Sequence, residues 1–95
     1  MASKLRVDYE GLADSSATLI EQGNIFEECI GVMTSEVEGL PDIWEADTCD
    51  KYVEQYNEAK GTLNDVRDLI QEMAEQMQKI SDNFRDADVD MAGQM

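Results

Sequence analysis

The chain has 95 residues, enough for one small domain, and its 22 acidic residues against 7 basic ones give a formal net charge of −15. Such a charge repels phosphate backbones and anionic lipid surfaces, so the composition argues against binding to nucleic acid or to a membrane surface. No apolar run approaches the roughly 18 residues that a membrane-spanning helix needs. Residues 1–8 lack the apolar core of a signal peptide, so a cleaved leader is not expected.

The first helix is predicted over residues 8–40, with Asp8 as its N-cap. Its apolar residues recur at alternating spacings of four and three, a heptad pattern that is typical of helices packed side by side. The positions predicted to form this seam are Leu12, Leu19, Phe26, Ile30, Met33 and Val37. Ser16 and Gly23 fall on the same seam. Their small size predicts a close approach of two backbones or room for a large side chain of a neighbouring helix. A mild bend of the helix is the competing prediction.

A turn is predicted over residues 41–46, because Pro41 disfavours a helical conformation of the residue before it. A second helix is predicted over 47–90, followed by a flexible tail. Its cap is Asp47 or Thr48, or an earlier capping box of Asp42 with Glu45, and Asp47 is favoured. It carries the same heptad spacing, and its seam comprises Tyr56, Leu63, Val66, Ile70, Met73, Met77 and Ile80.

Two long helices joined by a short turn predict an all-α fold, an antiparallel helix-turn-helix hairpin. A hairpin of this length leaves apolar surface uncovered, so two hairpins are expected to pair into a four-helix bundle. The two cysteines, Cys29 and Cys49, lie at different heights along the hairpin and are not expected to form a disulfide.

The residue types argue against an enzyme and against a cofactor or metal site. The chain has no His to activate a nucleophile, and it has no glycine-rich phosphate loop. The run Asp86-Ala87-Asp88-Val89-Asp90 imitates the start of a calcium loop, but Met91 stands where that loop requires Gly.

The residues at the turn resemble a known motif. Trp44 is followed by the small residue Ala46 and by the aromatic Tyr52. With a length of about one hundred residues, this arrangement is similar to the Trp-x-Gly (WXG) family of ESAT-like proteins, which are type VII secretion substrates of Gram-positive bacteria. The family has Gly at the place of Ala46. Because Ala tolerates a positive φ poorly, either the turn is not left-handed there or Ala46 is strained.

The C-terminal residues match the same family. Its members carry a hydrophobic residue, an acid four positions later, and two further hydrophobic residues at spacings of three and four. Phe84, Asp88, Met91 and Met95 fit this spacing. By resemblance they form a C-terminal export signal, in which Phe84 replaces the usual Tyr.

The resemblance implies a small non-enzymatic protein that folds in the cytoplasm and is secreted as a folded dimer without a cleaved signal peptide. The implied partners are a type VII secretion ATPase and either a second copy of the chain or a paired WXG protein, and the regular seam favours a homodimer. The family also suggests a virulence-associated role or a carrier role for co-secreted proteins. The alternative is an acidic helical adaptor or chaperone that stays inside the cell.

Overall fold

The computed structural model describes residues 6–93, and the side chains of residues 6–88. It contains two α-helices, α1 (Tyr9–Ile43) and α2 (Asp47–Gly93), which a three-residue turn connects. The helices pack along each other in opposite directions and form a ribbon that measures 74 × 30 × 13 Å. The predicted all-α antiparallel hairpin is therefore confirmed, and the described residues contain no strand.

The start of α1 follows from its capping residue. Asp8 has an extended backbone, and its side chain accepts a hydrogen bond from the backbone N–H of Gly11 at 3.0 Å. Glu10 places a further negative charge in the first turn, where the helix dipole favours it. The predicted N-cap is confirmed. Gly11 is suited to this arrangement, because a Cβ atom there would lie only 2.6 Å from a carboxylate oxygen of Asp8.

The predicted end of α1 at Leu40 was wrong, because the helix continues through Pro41 to Ile43. A proline in the last turn removes one N–H donor, but the helix closes beyond it with a hydrogen bond from the Trp44 N–H to the Leu40 carbonyl at 2.8 Å. The local preference against a helical residue before proline is outweighed by this bond and by the packing of the helix on α2. The turn is therefore residues 44–46 instead of 41–46.

The bounds of α2 also differ slightly from the prediction. The carbonyl of Ala46 accepts hydrogen bonds from the N–H groups of Cys49 and Asp50, so Ala46 precedes the helix and Asp47 is its first residue instead of its cap. The negative charges of Asp47 and Asp50 lie in the first turn. The helix extends to Gly93, three residues beyond the predicted end at 90. Most of the predicted flexible tail is thus helical, and residues 94–95 lie outside the described residues.

Small residues hold the two helices together at the end remote from the turn. Ser16 is fully buried and donates a hydrogen bond from its hydroxyl to the Ala74 carbonyl at 2.7 Å. Ser81 is also buried and donates to the Tyr9 carbonyl at 2.5 Å. The two bonds run in opposite directions between the helices, and each needs a side chain short enough to let the backbones approach. Of the alternatives predicted for Ser16, close backbone approach is correct.

Nearer the turn, the helices are joined by hydrogen bonds of a threonine and a tyrosine instead of a serine. The hydroxyls of Thr34 and Tyr56 are 2.7 Å apart, and both reach the carbonyl of Ile30, at 2.7 Å and 3.3 Å. Ile30 itself is buried. No buried side-chain nitrogen or oxygen among the described residues lacks a hydrogen-bond partner. These contacts fix the angular position of α2 against α1 along the whole hairpin.

Replacing Gly61 with Ala is expected to stabilise the hairpin by about 1 kcal/mol, because Gly61 is an exposed residue in the interior of α2 and its added Cβ meets no atom within 4 Å. Urea denaturation followed by far-UV circular dichroism measures the change. Gly11→Ala is the matched control, since its Cβ collides with the capping carboxylate of Asp8. An equal gain in both variants would contradict this account of the two glycines.

Candidate interaction surface

The turn presents an aromatic pair. The rings of Trp44 and Tyr52 lie 6.2 Å apart between centroids and are tilted by 35°. Both side chains remain open to solvent, with exposed fractions of 39% and 56%. The neighbouring Ile43 is 83% exposed, so three large apolar or aromatic side chains are uncovered at one end of the hairpin. Sequence reasoning did not single out Ile43; its position directly before Trp44 was the available signal.

The backbone conformation shows whether Ala46 is strained in a left-handed turn or whether the turn is not left-handed there. No non-glycine residue in the described part of the chain has a positive φ. The turn is therefore not left-handed at Ala46, and replacing the family's Gly by Ala introduces no backbone strain there.

The C-terminal residues predicted as an export signal are only partly described. Phe84 is half-buried and Asp88 is exposed, and both lie on α2. Met91 belongs to the helix, but its side chain is not among those described, and Met95 lies outside the described residues. The chain thus carries Phe84 and Asp88 one helical turn apart on a continuous helix.

Asp88 has a partner within the chain. The phenol of Tyr9, the first residue of α1, donates a hydrogen bond to Oδ2 of Asp88 at 3.3 Å. The negative charge of Asp88 raises the pKa of the Tyr9 phenol, with smaller contributions from desolvation, from this hydrogen bond and from Glu10. Because the pKa is raised on folding, any stability that this contact adds to the folded hairpin is fully present below the phenol's ordinary pKa. That stability is lost as the pH rises through the raised pKa. Tyr9 was not predicted as a functional residue.

The predicted heptad seam divides into two surfaces. Its buried or half-buried members face the other helix of the hairpin: Leu12, Leu19, Phe26, Ile30, Val37, Tyr56, Leu63, Ile70 and Met77. Its remaining members are exposed: Met33, Val66, Met73 and Ile80. These four residues therefore do not lie in the buried contact within one hairpin, and their predicted place in a seam between two hairpins stays a prediction. On α2 their places in the contact are taken by small or polar residues, among them Cys49, Ala74 and Ser81.

Most of the exposed apolar residues away from the turn share one face of the ribbon. On the other face, which we call the polar face, an ion pair of 3.4 Å joins Glu27 on α1 to Arg67 on α2, beside a shallow cleft that Ile20, Asn24 and Gln71 also line. At about 100° of rotation per residue, the exposed apolar residues of both helices, apart from Ile20 and those near the turn, lie on the opposite side from this cleft. We call them the apolar face: Ile25, Cys29, Val32, Met33, Val66, Leu69, Met73 and Ile80.

Cys29 is exposed, Cys49 is buried, and both are free thiols, as predicted. Among the side chains of residues 6–88, no group of three or more His, Cys, Asp or Glu residues is arranged to hold a metal ion. Neither described helix contains a segment long and apolar enough to cross a membrane.

Comparison with known proteins places these features in a wider group. Residues 4–89 match the family model described as WXG100, proteins of 100 residues with WXG. The ESAT-6-like protein SAG1039 of Streptococcus agalactiae serotype V is 22% identical over 93 residues, which cover 98% of this chain and 97% of that protein. The crystal structure of Geobacillus thermodenitrificans EsxA superposes with a TM-score of 0.86, covering 97% of this chain and 99% of EsxA at 22% identity.

Proposed function

Because this chain belongs to the WXG100 family of ESAT-6-like proteins, whose members are generally secreted by type VII systems, we propose that it is a non-enzymatic type VII substrate exported as a folded dimer. The observation that supports this proposal best is the distribution of exposed apolar residues. They are concentrated on one face of the ribbon and at the turn, where they are suited to contacts with other proteins.

The apolar face supports pairing with a second hairpin. Met33, Val66 and Met73 are each more than 40% exposed although they continue the heptad pattern of the buried seam. Two ribbons stacked through these faces would form a four-helix bundle with each side chain packed between helices. A second copy of the chain can cover the apolar face with its own apolar face, because a two-fold axis brings the same surface of both copies together. The alternative partner is a paired WXG protein whose hairpin carries a similar apolar face.

The shape of the hairpin supports an antiparallel arrangement of the two copies. Tyr9 lies beside Asp88, and the 35 residues of α1 carry the chain about 50 Å away to Trp44. The turn and the C-terminal signal of one chain therefore lie at opposite ends. In an antiparallel dimer the Trp44 of one copy would lie near Asp88 of the other, so each end of the bundle would combine both elements.

The proposed recognition step is the docking of such a composite end on the secretion ATPase. Phe84 and Asp88 lie one turn apart on α2, and in the sequence Met91 and Met95 follow at spacings of three and four, a pattern that suits insertion into an apolar groove. Trp44 and Tyr52 would add aromatic surface from the partner chain. After export, the protein would act outside the cell, as a carrier for co-secreted proteins or as a virulence-associated factor.

Trp44→Arg and Asp88→Ala are each expected to lower secretion at least about tenfold while the protein accumulates, folded, inside the cell. A loss of about 1.4 kcal/mol of binding free energy is sufficient for that change. The measurement is the amount of untagged protein in culture supernatant and in cells of the producing bacterium, with circular dichroism of each purified variant.

Trp44→Phe, which keeps an aromatic ring, and Asp86→Ala, which removes a nearby exposed acid, are the matched controls, and both are expected to be secreted. If Trp44→Arg and Asp88→Ala are still secreted at the normal level, the two-part signal is wrong. If the unaltered protein is found only in cells, the adaptor or chaperone alternative is favoured instead.

A further inference from the structure

We propose that Tyr9, at the start of α1, is a positioning residue for the export signal on α2. It holds Asp88 in one orientation, in which the carboxylate is presented to a cationic group of the secretion machinery. This inference rests on the proposed function, and it adds a residue at the opposite end of the sequence to the signal. It is carried by two contacts of the same residue, one through its backbone and one through its side chain.

The backbone contact holds α2 on α1 just before the signal. The hydroxyl of Ser81 donates to the carbonyl of Tyr9 at 2.5 Å, and Ser81 is only 3% exposed. Ser81 lies seven residues before Asp88, on the same side of α2 after two helical turns. The bond from Ser81 therefore fixes the rotation of α2 about its own axis beside Tyr9. In this rotation Asp88, too, faces Tyr9.

The side-chain contact then orients the carboxylate. The Tyr9 phenol bonds to Oδ2 of Asp88 at 3.3 Å and leaves Oδ1 of this exposed residue available to accept from another group. A carboxylate accepts several hydrogen bonds at once, so the phenol and a partner's ammonium or guanidinium group can bind it together. The nearby cation Arg85 forms its ion pairs with Asp82 and Asp86, both at 3.5 Å. Among the ion pairs of the described residues, none engages Asp88.

The test removes only the phenolic oxygen. Tyr9→Phe keeps the aromatic ring and the backbone carbonyl that accepts from Ser81, so the variant is expected to fold and to melt like the unaltered protein. We expect secretion to fall about two- to fivefold, the range that corresponds to one exposed polar contact. Glu10→Gln is the matched control, because it removes an adjacent exposed charge without touching Asp88, and its secretion is expected to be unchanged.

A titration of the Tyr9 phenol supplies a readout that does not depend on secretion. Asp88→Asn is expected to lower the phenol pKa toward its ordinary value, because the negative charge that raises it is removed; titration of Tyr9 by nuclear magnetic resonance measures the change. An unchanged pKa would overturn the contact and with it the proposal.

The secretion results separate this proposal from the one on which it rests. Normal secretion of Tyr9→Phe together with loss of secretion in Asp88→Ala would overturn the role of Tyr9 and leave the signal intact. Normal secretion of both variants would overturn the signal itself. Loss of secretion in Asp88→Ala, a partial loss in Tyr9→Phe and an unchanged melting temperature would support the positioning role.

Discussion

Replacing Met73 with Glu is expected to convert the proposed dimer into a monomer while the hairpin stays helical. Met73 is 48% exposed and lies in the middle of the α2 part of the apolar face, beside Leu69 and Ile80. In a symmetric dimer the change places two carboxylates in the interface, at a cost of roughly 2 kcal/mol each. The dissociation constant should therefore rise on the order of a thousandfold. Sedimentation equilibrium measures it.

Gln71→Glu is the matched control, since it adds a carboxylate two residues away on the polar face of the same helix. It is expected to leave the mass of the assembly unchanged, and both variants should keep their helical circular dichroism. A dimer that survives Met73→Glu but dissociates on Gln71→Glu would place the interface on the other face. A monomeric unaltered protein at high concentration would favour a different WXG protein as the partner.

Replacing Ser16 with Leu is expected to destabilise the hairpin by about 3 kcal/mol. Ser16 is fully buried and its hydroxyl lies 2.7 Å from the Ala74 carbonyl, so a larger side chain must separate the two backbones and also loses the hydrogen bond. For a domain of this size the melting temperature should fall on the order of 15 °C. Thermal unfolding at a fixed protein concentration measures it, because pairing makes the transition concentration-dependent.

Two further variants separate the causes of this effect. Ser16→Ala removes the hydrogen bond without adding volume and is expected to cost only about 1 kcal/mol. Ser35→Leu adds the same volume at an exposed position of α1 and is expected to change stability by less than about 0.5 kcal/mol. If Ser16→Leu melts within 2–3 °C of the unaltered protein, roughly the effect of a small surface change, the close approach at Ser16 is not a stabilising feature.

The hairpin could be predicted from the sequence because its signals are local. The heptad spacing identifies two long helices, Asp8 marks a start, and the region of Pro41 is the one interruption between them. The exact end of α1 could not be predicted. It depends on the hydrogen bond from Trp44 to Leu40, which forms only if the helix continues through the proline.

The orientation of α2 was harder to predict for a different reason. Two neighbouring rows on a helix can share the same heptad spacing, and the row of Val66 and Met73 is the more hydrophobic. The row that contacts α1 includes Ala74 and Ser81, whose importance comes from their small size. Their seven-residue spacing, matched by Ser16 and Gly23 on α1, was the available signal. The contact between Tyr9 and Asp88 spans 79 positions and becomes visible only when the register of the hairpin is known.

The dimensions of the ribbon have a consequence for transport. A hairpin of 74 × 30 × 13 Å is thin in one direction only. Stacking a second hairpin at the usual helix spacing of about 10 Å would produce a rod with a backbone cross-section of roughly 30 × 25 Å. Such a rod can enter a conduit only lengthwise, with one of its two equivalent ends in front. A passage about 3 nm wide would admit it folded, whereas a narrower one would require the two hairpins to separate before they cross.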